Sequence, residues 1–221
     1  MTVAENLAEI DVKIAEACAY AGLDVATPKL IAVSKRQSEE AISEALEAGH
    51  RVFGENRIQE AEGRWPSYAK KYSSVELHLI GSLQSNKVAD AVALFDVIQV
   101  VDRPKLARAI ARECTKQSRS PALYIQVNTG EEPQKGGVLP ADLSDLVVLV
   151  RDELKLNLVG LMSIPPVEDP AAQHFAFLKA LGQKNGLSRL SMGMSADYAL
   201  AASMGATDIR VGTAIFGERN T

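Results

Sequence analysis

Three short stretches of this chain carry side chains that could do chemistry together. Lys35 ends the apolar run Leu30-Ile31-Ala32-Val33-Ser34. Gly193-Met194-Ser195 runs into a helix-like segment near Ala196, and Arg210-Val211-Gly212-Thr213 closes a further apolar run. A lysine at the lip of a buried strand is poorly solvated. Desolvation disfavours its ammonium and lowers its pKa, which frees the amine as a nucleophile for Schiff-base chemistry. The same lysine could instead snorkel out of a strand end. Glycines beside a hydroxyl leave N–H groups open to an anion, although each glycine also suits a plain turn and Ser195 a helix cap. Arg210 stands two residues before Gly212, so on a strand both face one side. Its guanidinium would stay charged toward a ligand there, or would form a structural ion pair with Asp208 or Glu218.

The elements that must position these groups follow a regular rhythm. Leu7, Ile10, Ile14, Ala17 and Ala21 fall at helical spacing opposite Glu5, Glu9, Asp11 and Lys13, so residues 3–21 are predicted as an amphipathic helix stopped by Gly22. Thr27-Pro28 breaks the chain. Eight short apolar strands then follow, over 30–35, 51–54, 75–80, 97–101, 122–127, 158–162, 189–192 and 208–212. Helices are predicted between them: from Ser38 to Leu46 with Gly49 as its stop, over 56–71 with Trp65-Pro66 interrupting, then over 86–94, 104–117, 140–149, 170–182 and 197–204. No hairpin signal joins the strands, so the sheet must be parallel with crossover helices. Eight such units close into one (β/α)8 TIM-type barrel domain over residues 1–221, with the extra N-terminal helix covering one end. A doubly wound open sheet is disfavoured because no Gly-x-Gly-x-x-Gly turn follows the first strand.

In a barrel the carboxyl ends of the strands form the functional face. That face collects Lys35, Glu55-Asn56-Arg57, Asn128-Thr129-Gly130, Met162-Ser163, Ser195 and Gly212-Thr213, a polar pocket floored by glycine. Barrels often hold a phosphate between the loops after strands seven and eight, which are here the Ser195 and Gly212 segments. His78 could act as a base, but a lone strand histidine reads more readily as a satisfied core residue. Glu55 stands alone where a glycosidase needs two carboxylates, and no Ser/His/Asp order or metal cluster is present.

Composition narrows the classes further. The 221 residues are 47% apolar and 24% charged, the net charge is -4, and aromatics make up only 5%. Scattered charges and few aromatics argue against nucleic acid. Cys18 and Cys114 lie in alanine-rich helical stretches, as reduced packing residues do. With no leader or spanning run in view, a cytoplasmic protein without membrane contact is expected.

Several motifs are also familiar. Ala32-Val33-Ser34-Lys35, Phe53-Gly54-Glu55-Asn56-Arg57-x-Gln59-Glu60-Ala61 and His78-Leu79-Ile80-Gly81-x-Leu83-Gln84-x-Asn86-Lys87 are three of them. Gly160-Leu161-Met162, Leu190-Ser191-Met192-Gly193-Met194-Ser195 and Arg210-Val211-Gly212-Thr213-Ala214-Ile215-Phe216-Gly217 complete the set. Together they resemble the YggS/PROSC family of pyridoxal phosphate homeostasis proteins over almost the whole chain. The resemblance implies a fold-type III barrel like the amino-terminal domain of alanine racemase, with pyridoxal 5'-phosphate (PLP) bound by Lys35 as a Schiff base. It also implies that Ser195, Gly212 and Thr213 hold the phosphate, that Arg210 faces the pyridine nitrogen, and that Asn56 lies beside the ring. One local departure is Arg36-Gln37-Ser38, where many members have Thr-Lys-Pro.

The resemblance raises a racemase hypothesis, which needs a second acid/base opposite the lysine. In alanine racemase that base is a tyrosine from a separate β-domain. This sequence ends at Thr221, so no such domain is expected, and Tyr20, Tyr68, Tyr72, Tyr124 and Tyr198 end no barrel strand. The expectation is a non-enzymatic PLP buffer or delivery protein, acting as a monomer and passing PLP to apo-enzymes. A weak racemase and a cofactor-free Schiff-base aldolase remain as alternatives.

Overall fold

The computed structural model describes residues 1–23 and 27–217. Eight parallel strands close a barrel in chain order: β1 (Lys29–Val33), β2 (Val52–Glu55), β3 (Glu76–Leu79), β4 (Val97–Val101), β5 (Ala122–Val127), β6 (Leu158–Ser163), β7 (Arg189–Ser191) and β8 (Asp208–Val211). β1 pairs with both β2 and β8, which seals the ring. Every strand is short and largely buried, because helices cover the outside and side chains fill the inside.

The outer helices are α1 (Val3–Tyr20), α2 (Glu39–Glu47), α3 (Ile58–Lys71), α4 (Val88–Leu94), α5 (Pro104–Gln117), α6 (Leu143–Val147), α7 (Ala171–Lys184), α8 (Tyr198–Ser203) and α9 (Thr213–Phe216). Thr2 and Glu5 form a capping box on α1, and Ser38 accepts from the Ala41 N–H at the start of α2. Gly22 and Gly49 end these two helices with φ of +62° and +92°, a conformation glycine adopts without strain. Cys18 and Cys114 are buried free thiols in α1 and α5.

Four sequence expectations need correction. The predicted interruption at Trp65-Pro66 is absent, and α3 runs through Pro66. Trp65 locks the helix at that point: its ring packs 4.7 Å from that of Phe53, and its indole N–H donates to Glu55. Such a buried indole is worth roughly 3–5 kcal/mol against alanine, comparable to what an internal proline costs. The helix expected over 140–149 is a 3-10 turn, then α6, then wide π turns to Glu153. The helix expected from Asp197 begins at Tyr198, after a turn over Ser195–Asp197. Finally, α1 does not cover a barrel end. It packs against α2, α8 and α9 in the outer layer. Since α9 has only four residues, α1 takes the place its unit leaves open, burying Leu7, Ile10, Ile14 and Cys18.

Strand register decides which residues share the interior. Lys29 lies opposite Asp208 and Ile31 opposite Arg210, while Gly54 pairs with His78, His78 with Val97, and Ser191 with Asp208. The inside of this barrel is therefore unusually polar: His78, Gln99, Ser191, Asp208 and Arg210 are all buried.

Candidate functional site

Lys35, Asn56, Ser195, Arg210, Gly212 and Thr213, the six residues singled out in the sequence, line one cavity of about 320 Å³ at the carboxyl ends of the strands. Val33, Gln37, Ile80, Ile164 and Met194 supply most of the remaining wall. Sequence reading assigned these no role, since only contact across loops distant in the chain reveals them.

Lys35 sits just past β1, in a turn rather than in the strand itself. Ser34 extends the ladder by donating its N–H to Gly54 O, and Gln37 N–H then donates back to Ser34 O. Arg36 takes a left-handed φ of 57°, uncommon without glycine. Arg64 of α3 clamps the turn by donating to the carbonyls of Ser34 and Gln37. Behind it, Glu55 accepts from the Ser34 hydroxyl at 2.8 Å and from Trp65 at 3.0 Å. Burial pushes the Glu55 carboxyl upward, and the Ser34 and Trp65 hydrogen bonds oppose the shift. Glu55, a strand-end carboxylate, is thus a buried support for the lysine turn and not a cavity residue. Of the three departing positions 36–38, Gln37 lines the cavity.

Asn56 follows β2. Its backbone passes so close to Gly81 that a Cβ there would lie 2.3 Å from Asn56 O, which explains the glycine after β3. The Asn56 Oδ1 is buried with no hydrogen-bond partner among the described residues. An orphaned acceptor at a cavity calls for a ligand.

The loops after β7 and β8 meet. The Ser195 hydroxyl accepts from the N–H groups of Gly212 and Ala214, each at 3.3 Å. It does not cap α8, so the capping alternative fails. Gly193 makes this approach possible: its φ is +90°, and a Cβ would lie 2.5 Å from that of Ala201.

Arg210 rises from the barrel floor. It is 4% exposed, and donates to the Ser191 hydroxyl at 2.6 Å and to Ser163 O at 2.8 Å. Asp208 instead binds Arg189, Tyr124 and Thr207, and Glu218 lies outside the described residues. Burial pulls the Arg210 pKa down to about 10 while Asp208 and Asp197 oppose it, so the guanidinium stays charged at neutral pH. His78 does not line this cavity. It is buried in the interior between Glu76 and Gln99.

The residues present fit PLP. A lysine amine matches an aldehyde, a buried guanidinium matches a pyridine nitrogen, and convergent N–H groups with a hydroxyl match a phosphate. Among the described residues no helix is long and apolar enough to cross a membrane.

Comparison with known proteins gives the family and the fold. The family model "Alanine racemase, N-terminal domain" matches residues 6–220. The pyridoxal phosphate homeostasis protein of Pseudomonas aeruginosa is 41% identical over 224 residues, covering 99% of this chain and 96% of that one. The Escherichia coli protein of the same name is 34% identical over 227 residues, covering 99% and 97%. PipY of Synechococcus elongatus, solved with PLP bound, is 40% identical with a TM-score of 0.78, covering 92% of this chain and all of that one. An alanine racemase of Clostridium difficile, 12% identical with a TM-score of 0.72, shares the fold over 98% of this chain and 57% of its own. The chain belongs to the pyridoxal phosphate homeostasis protein family, built on the alanine racemase N-terminal domain.

Proposed function

We propose that this chain binds PLP in the cavity between Lys35 and the β7–β8 loops and serves as a cytoplasmic, monomeric buffer that delivers PLP to apo-enzymes. The carrying observation is a single cavity that joins a lysine, a buried arginine with no carboxylate hydrogen-bonded to it among the described residues, and a serine gathering two backbone N–H groups. The relative PipY has been solved with PLP in place. When bound, PLP supplies an aldehyde carbon and an electron-withdrawing ring.

Each of the six residues then has a task. Lys35 would be the covalent tether, supplying the amine that meets the aldehyde. Ser195, Gly212 and Thr213 hold the phosphate through a hydroxyl and backbone N–H groups. Asn56 would lie beside the ring, its unpartnered Oδ1 at the cavity. Arg210 keeps its proton and would face the pyridine nitrogen as a donor, which would leave that nitrogen unprotonated and the ring a weak electron sink. That suits holding the cofactor better than using it. The cavity lining supports the same reading: among the described residues it contains no tyrosine, histidine, carboxylate or cysteine to act as a second base opposite Lys35.

Borohydride reduction of the PLP-treated protein tests the tether. The expected adduct maps to the Lys35 peptide and disappears in Lys35→Ala, whereas an adduct elsewhere, or none, defeats the assignment. A Lys35 tether without PLP affinity would favour the cofactor-free aldolase. Exchange of amino-acid α-hydrogens in deuterated water is expected at no more than the rate of free PLP; a much faster rate would make the protein a racemase.

A further inference from the structure

A chain of polar side chains, buried from Arg210 to His78, crosses the barrel beneath Arg210, and the uses proposed above leave most of it unexplained. Arg210 donates to Ser191 Oγ at 2.6 Å, and Ser191 Oγ lies 2.6 Å from Gln99 Oε1. Gln99 Nε2 lies 2.8 Å from His78 Nδ1, and His78 Nε2 lies 2.6 Å from Glu76 Oε1. Lys29 anchors the far end, donating to both oxygens of Glu76 at 2.7 and 2.9 Å. Three strands thus contribute the four members between Arg210 on β8 and Lys29 on β1: Ser191 from β7, Gln99 from β4, and His78 with Glu76 from β3.

Donor and acceptor chemistry gives the chain one direction. The His78 hydrogen bond holds the Glu76 carboxyl down at about 2, burial opposes this, and Lys29 assists. Glu76 is then ionised at neutral pH and can only accept, so His78 must present its Nε2–H to it. Nδ1 then faces the Gln99 amide Nε2 and accepts its N–H. That turns the Gln99 carbonyl toward Ser191, which donates its O–H to it. The oxygen of Ser191 is left to accept from Arg210. Every proton points from the cavity end toward the base of the barrel, so no link can turn without breaking its neighbour's hydrogen bond.

We infer that Glu76, His78, Gln99 and Ser191 form a directional relay that positions the Arg210 guanidinium against the ring nitrogen of PLP, making Gln99 and His78 positioning residues for a ligand neither touches. The inference rests on the PLP reading above. It accounts for a polar file of side chains where a barrel would ordinarily pack branched apolar residues. It also accounts for His78 without making it a base.

Two measurements on the full chain test it. In the ligand-free protein, nitrogen NMR of His78 is expected to find the ring proton on Nε2; a proton on Nδ1 overturns the relay whatever PLP does. Binding is then compared for PLP and for its carbon isostere, which keeps the aldehyde and phosphate but lacks the ring nitrogen. Gln99→Leu is expected to weaken PLP about tenfold and to leave the isostere within about twofold of the unsubstituted protein, since only PLP has the atom Arg210 serves. Equal weakening of both ligands would show a merely structural role and overturn the inference. If Gln99→Leu does not fold, Ser191→Ala is expected to give the same split and Ser191→Thr, which keeps the hydroxyl, to restore it. An unsubstituted protein that binds neither ligand would sink the PLP reading and this inference together. One that binds PLP but is insensitive to both changes would sink the relay alone.

Discussion

Two arginines on neighbouring strands, Arg189 and Arg210, flank the same buried carboxylate and are treated in opposite ways. Arg189 opens β7 and donates to Asp208 at 2.9 Å, where Tyr124 and Thr207 also donate. Its pKa ends above the usual value: burial pulls down, and Asp208, Tyr124 and Glu76 more than offset it. Arg210 is more deeply buried, yet its hydrogen bonds go to a hydroxyl and a carbonyl. Burial leaves its pKa lowered. The first cation is neutralised within the wall of the barrel. The second is fixed in place with its charge left available to the cavity, an arrangement that costs stability and suits a ligand.

Removing the structural half should have the largest effect. Asp208→Ala leaves Arg189, Tyr124 and Thr207 without their acceptor, and a loss of about 3–5 kcal/mol is expected in urea unfolding. Removing the functional half should act on binding. Arg210→Met is expected to weaken PLP about 100-fold, or about 2.7 kcal/mol, in a fluorescence titration. Its unfolding free energy should stay within about 1 kcal/mol, since a methionine carries no desolvation penalty. A large stability loss there would erase the contrast between the two arginines.

The far end of the Arg210 file can be probed by pH. The folded-state pKa of Glu76, about 2, lies below its ordinary 4.5, so its contribution is present above about pH 4.5 and fades as pH falls toward 2. Glu76→Gln should flatten that acid limb by about 1–2 kcal/mol, a figure discounted because the side chain is 32% exposed. Ser195→Ala should have the smallest effect, weakening PLP about tenfold, or about 1.4 kcal/mol, because the Gly212 and Ala214 N–H groups remain.

Legibility in the sequence followed the range of the interactions. Gly22, Gly49 and Ser38 act within a turn of chain, and their roles could be read directly. The apolar strands could be counted because each strand must be buried on both faces, and their number gave the barrel. Pro66 misled, because Trp65 overrides it through Phe53, twelve residues away on another element. Glu55 and His78 stand at a strand end and in a strand, where either could have done chemistry. Only their partners, Ser34, Trp65, Glu76 and Gln99, show that both are engaged outside the cavity.

The sequence by itself determined the eight-unit barrel, because strand periodicity and turn chemistry are local properties of the chain, and its motifs, through the family they resemble, narrowed the strand-end residues to six worth suspecting. Tertiary structure alone decided that Lys35, Asn56, Ser195 and Arg210 share one cavity and that Ser195 holds N–H groups from beyond β8. It also decided that Arg210 rests on Ser191 and, through it, on Gln99. Those facts depend on barrel closure and strand register, which set Gln99 and Ser191, 92 positions apart, within hydrogen-bonding reach and bring Lys35 and Arg210 to one cavity.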